Sequence, residues 1–251
     1  MMNPIIQSLF DRKSCRIFED KEISQEERKL ILEACMQAPS AGNQQMYTII
    51  DVQDIDVQDK KLQETLSKTC DNQPFINQAK MVLIFCADFQ KWYDLFNHEN
   101  CNPRKPGVGN LLLATTDATI AAQNAVVAAE SLGIGSCYIG DILEQHDIHK
   151  ELLNLSEYVA PVCMLVLGYP AEDHFKRQKT QRCKLEDIIC VDQYHRKDKK
   201  ELENMFEHKA VNKTLNEWAI AFCKRKYNSD FSKEMTNSVQ KYIDQFKSEA
   251  D

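Results

Sequence analysis

Glycine is scarce in this chain, seven residues in 251, and none follows Gly168. The last third is instead rich in Lys, Glu, Asn and Gln, which divides the sequence into a glycine-punctuated body and a long helical extension. No CxxC pair occurs among the ten cysteines. Scattered in this way, with no export signal, they read as reduced cytosolic thiols rather than a disulfide framework. Positive charge is not in excess: 31 basic residues face 38 acidic ones, a formal charge of −7. That balance argues against general nucleic-acid or anionic-membrane binding, both of which need a basic surface. A small anion can still be held wherever basic residues gather. The opening stretch MMNPIIQSLFDRKSCR acquires charge too soon for a signal peptide or membrane anchor. Internal repeats and low-complexity segments are also missing.

The stretch around which the chain is organised is DATIAAQNAVVAAESLGIGSCYIGD, from Asp117 to Asp141. It carries no charge between Asp117 and Glu130, and its Ala, Val and Ile leave no polar side, so the spacing predicts a central, buried helix. Gln123, Asn124 and Ser131 interrupt it too often for a bilayer span, which needs about 20 mostly apolar residues. Gly133 is placed to end it in a left-handed cap, and Ser136 to Ile139 reads as a short buried strand. Gly140 at the strand end allows backbone to approach a ligand closely.

Upstream, Asn3 and Pro4 open a helix with Ile5, Ile6, Leu9 and Phe10 on its apolar face. In the extended segment that follows, alternation puts Arg12, Ser14 and Arg16 on one side. Two guanidiniums and a hydroxyl suit a phosphate, although a solvated basic turn has the same composition. Ser24 and Glu27 have capping-box spacing for a helix that Pro39 stops. The loop APSAGNQQ leads into a strand from Tyr47 to Val52, its amides serving as a plain turn or as partners for a heteroaromatic ring. Met81 to Ala87 reads as a central strand, and Val162 to Leu167 as another. Trp92, Tyr93, Leu95 and Phe96 fall on a short helix as core or interface residues. His146 and His149, at i and i+3 with no third ligand, read as surface histidines rather than a metal pair. Lys176, Arg177, Lys179 and Arg182 make a second basic cluster. Stripes at Leu215, Trp218, Ala219 and Phe222, and at Met235, Val239, Tyr242, Ile243 and Phe246, need an apolar surface to cover, plausible on a second subunit.

Five motifs in chain order resemble the FMN-dependent nitroreductase family, within it the NADPH-dependent, oxygen-insensitive nitroreductase and flavin reductase branch. They are Arg12-x-Ser14-x-Arg16-x-Phe18, APSAGNQQ, NQPFI before the strand ending in FCADFQ, AAQNAVVAAESLGIGSCYIGD, and LGYPAED. The resemblance implies an α+β fold with a mixed, mostly antiparallel sheet flanked by helices. It implies a homodimer with FMN at the subunit interface, an FMN-binding domain over 1–195, and a helical extension over 196–251 packing on the partner. By motif position, Arg12, Ser14 and Arg16 would hold the ribityl phosphate and polar ring edge, with Lys13 nearby. Pro39, Ser40, Ala41 and Asn43 would reach the flavin from the other subunit. Gln73 would bond the ring near N3, O4 or N5, and Tyr138, Ile139 and Gly140 would lie along the ring or ribityl chain. Arg182 fits an arginine position of the family, while Thr180 stands at its lysine position and Lys179 one residue earlier. Met46 occupies the place of a common proline.

The chemistry so implied belongs to the cofactor: hydride passes from NADPH, or NADH, through flavin N5 to a nitroaromatic, quinone or free flavin in an alternating cycle. No side-chain nucleophile and no metal is expected. Other readings are a flavin-storing or flavin-sensing protein without efficient turnover, and a specialised reductase of the same fold. A cytoplasmic homodimer acting on small aromatic acceptors, without nucleic acid or membrane, is the expectation.

Overall fold

The computed structural model describes residues 2–53 and 61–247. The chain divides into two compact units, residues 1–177 with 235–251, and residues 178–234.

The first unit is built on a four-stranded sheet. Its strands are β1 (Tyr47–Val52), β2 (Met81–Asp88), β3 (Gly135–Ile139) and β4 (Val159–Gly168), in the order β1-β2-β4-β3. Every described pairing is antiparallel, with Tyr47 opposite Ala87, Met81 opposite Leu167 and Gly135 opposite Gly168. β2 is buried along its whole length, as a continuous apolar run at the sheet centre must be. Its alternate residues part between two cores. Val82, Ile84 and Cys86 face one cluster, and Met81, Leu83 and Phe85 the other. The result is an α+β layered unit, as the resemblance implied.

The helices of this unit are α1 (Pro4–Asp11), α2 (Gln25–Met36), α3 (Lys61–Thr69), α4 (Pro74–Gln78), α5 (Gln90–His98), α6 (Val108–Ser131), α7 (His146–Leu152) and α8 (Glu172–Lys176). Asn3 caps α1 by accepting from Ile5 N, and Ser24 and Glu27 form the reciprocal capping box of α2. α6 extends nine residues upstream of Asp117, to Val108. Its Ala118, Ala121, Ala122, Ala125 and Ala129 are fully buried against β2, β4 and α2. Side chains this small let the helix lie close on the sheet. α6 has the length and composition of a membrane span, yet this alanine face sits in the core. Gly133 ends it with φ of 73°, and Ile134 N–H closes back on Ala129 O.

Two expectations are corrected here. His146 and His149 are buried rather than surface residues. His149 Nδ1 meets Ile142 O and its Nε2 meets Thr69 Oγ1 at 2.8 Å, so α7 is fastened to the end of α3. Two aromatics of the last stripe, Tyr242 and Phe246, need no second subunit: both are buried in the core of the first unit. The helix that carries them, α12 (Asp230–Gln245), follows α9 (Leu185–Ile188), α10 (Lys199–Phe206) and α11 (Leu215–Lys226) of the second unit. There Trp218 stacks on Phe222 with ring centroids 5.0 Å apart and faces Phe206 at 6.4 Å.

Candidate functional site

An extended arm, Arg12 to Glu19, runs beside β3, an edge strand. Cys15 N–H donates to Ser136 O at 2.9 Å, Glu19 N–H to Tyr169 O, and Ala171 N–H to Ile17 O. Cys15 points inward and is fully buried, while Ser14 and Arg16 on either side of it are half-buried and exposed. Glycine makes the close approach possible: a Cβ at Gly135 would stand 2.7 Å from Cys15 Cβ, and one at Gly168 2.7 Å from the Phe18 ring.

The arm gathers cations at β3. The Arg12 guanidinium lies 5.9 Å from the Tyr138 ring centroid and that of Arg16 5.8 Å from Phe75. Arg12 Nε is buried and has no acceptor among the described residues. Cys137 marks the convergence. Burial pushes its thiol pKa up, against the pull of Arg16, a hydrogen bond with Ser14 and the charge of Arg12, with Asp141 adding to the rise. Arg12, Ser14, Arg16 and Asp141 thus all act electrostatically on Cys137. Lys13 is engaged differently, its Nζ donating to Arg177 O at 2.6 Å and Phe175 O at 3.4 Å.

Gln73 reaches the same place from another element. Asp71 and Asn72, both left-handed, turn the chain at the end of α3. Gln73 N–H then donates to Ser67 O, and Ser67 Oγ donates back to Gln73 O at 2.8 Å. With its backbone fixed, the side-chain amide donates to Cys70 O at 2.9 Å and to Asp141 Oδ2 at 2.7 Å. Asp141 follows Gly140, which is exposed and has nothing within 4 Å of where a Cβ would stand. Tyr138 is half-buried and Ile139 buried. Open backbone, two guanidiniums, a hydroxyl and an anchored amide are thereby brought together.

The remaining candidates lie apart. Pro39, Ser40, Ala41 and Asn43 form the loop that enters β1, at the opposite edge of the sheet. Three strand spacings separate the two edges, roughly 14 Å. Asp117, buried within α6, holds this loop: one oxygen accepts from Ala41 N at 2.9 Å and the other from Met46 N at 3.2 Å. Ser40 Oγ accepts from Gln45 N, and Trp92 Nε1 donates to Gln44 O at 2.8 Å. Lys179 and Arg182 are exposed residues of the second unit. Asp117 and Asp141 are the residues that sequence reasoning passed over. An acid thirteen residues from the next charge, Glu130, in an otherwise apolar stretch was the available signal for the first, and the residue closing the YIGD motif for the second. A cavity of about 370 Å³ between α5 and the start of α6, lined by Phe89, Tyr93, Phe96 and Arg104, shares no residue with either group.

Comparison with known proteins bears on this arrangement. The model of the nitroreductase family matches residues 9–169. An NAD(P)H FMN reductase of Bacillus subtilis is 39% identical over 184 residues, spanning 71% of this chain and 70% of that protein. An oxygen-insensitive NADPH nitroreductase of Salmonella typhimurium is 32% identical over 210 residues, 83% of this chain and 82% of the relative. Among solved structures, that of Bacillus megaterium NfrA2 superposes with a TM-score of 0.83 at 31% identity, covering 99% of this chain and 100% of the other.

Proposed function

This chain belongs to the nitroreductase family and is an FMN-dependent NAD(P)H oxidoreductase, and we propose that two copies of it build each cofactor site between them. The observation that carries the proposal is the separation of the two half-sites. The arm, Gln73 and Gly140 cluster at β3, while Pro39, Ser40, Ala41 and Asn43 stand at the β1 edge. A second copy brings the two together. Apolar side chains support such an interface: Phe10 is 64% exposed on α1 and Leu112 63% exposed on α6, with Ile5, Leu9 and Leu113 beside them.

The donor set fits FMN. A phosphate oxygen supplies the acceptor that the buried Arg12 Nε lacks, and burying that donor unpaired is costly. Arg12, Ser14 and Arg16 grip the phosphate and polar ring edge, with Lys13 adding charge from the neighbouring carbonyl cage. Gln73 binds the ring, and Tyr138, Ile139 and Gly140 line the ring or ribityl chain. Pro39, Ser40, Ala41 and Asn43 close the site from the second copy. Bound FMN supplies hydride acceptance at N5 and two-electron return to an acceptor. The chain's cations offset the negative charge of the reduced ring, and its open backbone at Gly140 leaves room for flat substrates in turn.

NADPH is the preferred donor in this reading, supported by the NADPH nitroreductase among the relatives. Nitroaromatics, quinones and free flavin are the acceptors. Ten free cysteines, six of them buried, support a reducing, cytoplasmic setting in this reading. Anaerobic addition of NADPH to the yellow protein tests the function: prompt bleaching of the flavin's visible absorbance, reversed by a quinone, is expected. Flavin colour that persists under excess NADPH would instead assign the protein to flavin storage or sensing.

A further inference from the structure

The side-chain amide of Gln73 is held from both of its N–H groups. Its two partners, the Cys70 carbonyl at 2.9 Å and the Asp141 carboxylate at 2.7 Å, can only accept. A flipped amide would set its oxygen against two other oxygens, so the neighbours decide which end faces which way. We infer that Asp141 is a positioning residue: with the Cys70 carbonyl it takes both amide protons of Gln73 and leaves the carbonyl oxygen as the group Gln73 offers to the cofactor. This rests on the FMN reading given above.

The orientation restricts what Gln73 can recognise. An oxidised isoalloxazine carries one ring donor, the N3–H, whereas O2, O4, N1 and N5 all accept. A glutamine that offers only an acceptor therefore pairs with N3–H and not with O4 or N5. Asp141 is placed for this by chain continuity: it follows Gly140, and together with Arg12, Ser14 and Arg16 it acts on the Cys137 thiol. The carboxylate is thus part of the same neighbourhood and not a distant support. It does not touch the flavin in this proposal; it acts through Gln73.

The test is a titration of the protein, stripped of flavin, with FMN and with N3-methyl FMN, followed by flavin fluorescence. In the unaltered protein N3-methylation should weaken binding about 3- to 10-fold, the value of one neutral hydrogen bond. Gln73→Ala should bind both flavins alike. Asp141→Asn keeps an acceptor for the amide and should keep the discrimination, whereas Asp141→Ala frees the amide to turn and should reduce it to less than about twofold. A merely structural Asp141 would lower both affinities equally and leave their ratio unchanged. Full discrimination in Gln73→Ala, or in Asp141→Ala, would overturn the inference. If the unaltered protein binds neither flavin, the FMN assignment itself fails and this inference with it.

Discussion

Replacing Asp117 by alanine should loosen the β1 loop and weaken the whole first unit. The carboxylate accepts two backbone N–H groups, from Ala41 and Met46. Hydrogen bonds to a charged group are worth roughly 1.5–3 kcal/mol each, so two would give about 3–6. The two donors differ, however. Ala41 is partly exposed and its N–H can recover a bond with water, while Met46 is fully buried and its N–H would stay unpaired. The expected loss for Asp117→Ala is therefore near the lower end, about 3 kcal/mol. Asp117→Asn retains one acceptor but turns an NH₂ toward the other donor, and should lose roughly half as much. Urea unfolding reads both as a lower midpoint at unchanged slope. A loosened loop must also be re-ordered when FMN binds, so cofactor affinity should fall in the same order. Asp117→Ala within about 1 kcal/mol of the unaltered protein, or Asp117→Asn indistinguishable from it, would refute the anchoring argument.

Three further outcomes follow from the arm and from α2. Arg16→Ala should weaken FMN by roughly 1.5–3 kcal/mol, the value of a charge-assisted bond; an unchanged dissociation constant would remove Arg16 from the site. Gly135→Ala should drive a Cβ into Cys15, costing about 1–3 kcal/mol of stability and displacing the arm, with weaker FMN retention as the marker. Glu27 is held down to a pKa of about 2, first by the Tyr169 hydroxyl and then by Ser24. Its folded pKa lies below the ordinary glutamate value of 4.5, so the unfolded state binds more protons in between. That contribution is present above pH 4.5 and lost as pH falls toward 2. Glu27→Gln should consequently lose less stability between neutral and acid pH than the unaltered protein, and equal losses in urea melts would contradict the assignment.

Patterns of period two and long apolar runs were legible because they are local. The bounds of β1 are those read from the sequence, and β2 and the Gly133 cap follow directly from residue type. Contacts between distant segments were not. Asp117 only marked the start of an uncharged stretch in the sequence, whereas its partners, Ala41 and Met46, lie more than seventy residues away. His149 looked exposed because nothing near it in sequence shows Thr69, eighty residues back, waiting for its ring. The arm was legible by alternation and by resemblance together. That Lys13 turns to the carbonyls of Phe175 and Arg177 was not, since backbone acceptors leave no trace in side-chain spacing. Tyr242 and Phe246 read correctly as a stripe, but a stripe does not name the surface it covers.

The claim that each FMN site takes its arm from one copy and its loop from the other is tested most directly by complementation. Arg16→Ala and a loop variant, Asn43→Ala with Ser40→Ala, each impair both sites of a pure dimer. A differently tagged mixed dimer then carries one site with both defects and one with none. The account predicts that the isolated mixed dimer regains about one FMN per two chains and the corresponding half of the NADPH-driven turnover. A mixed dimer as empty as its parents would show that arm and loop serve the same copy, and would contradict the shared site.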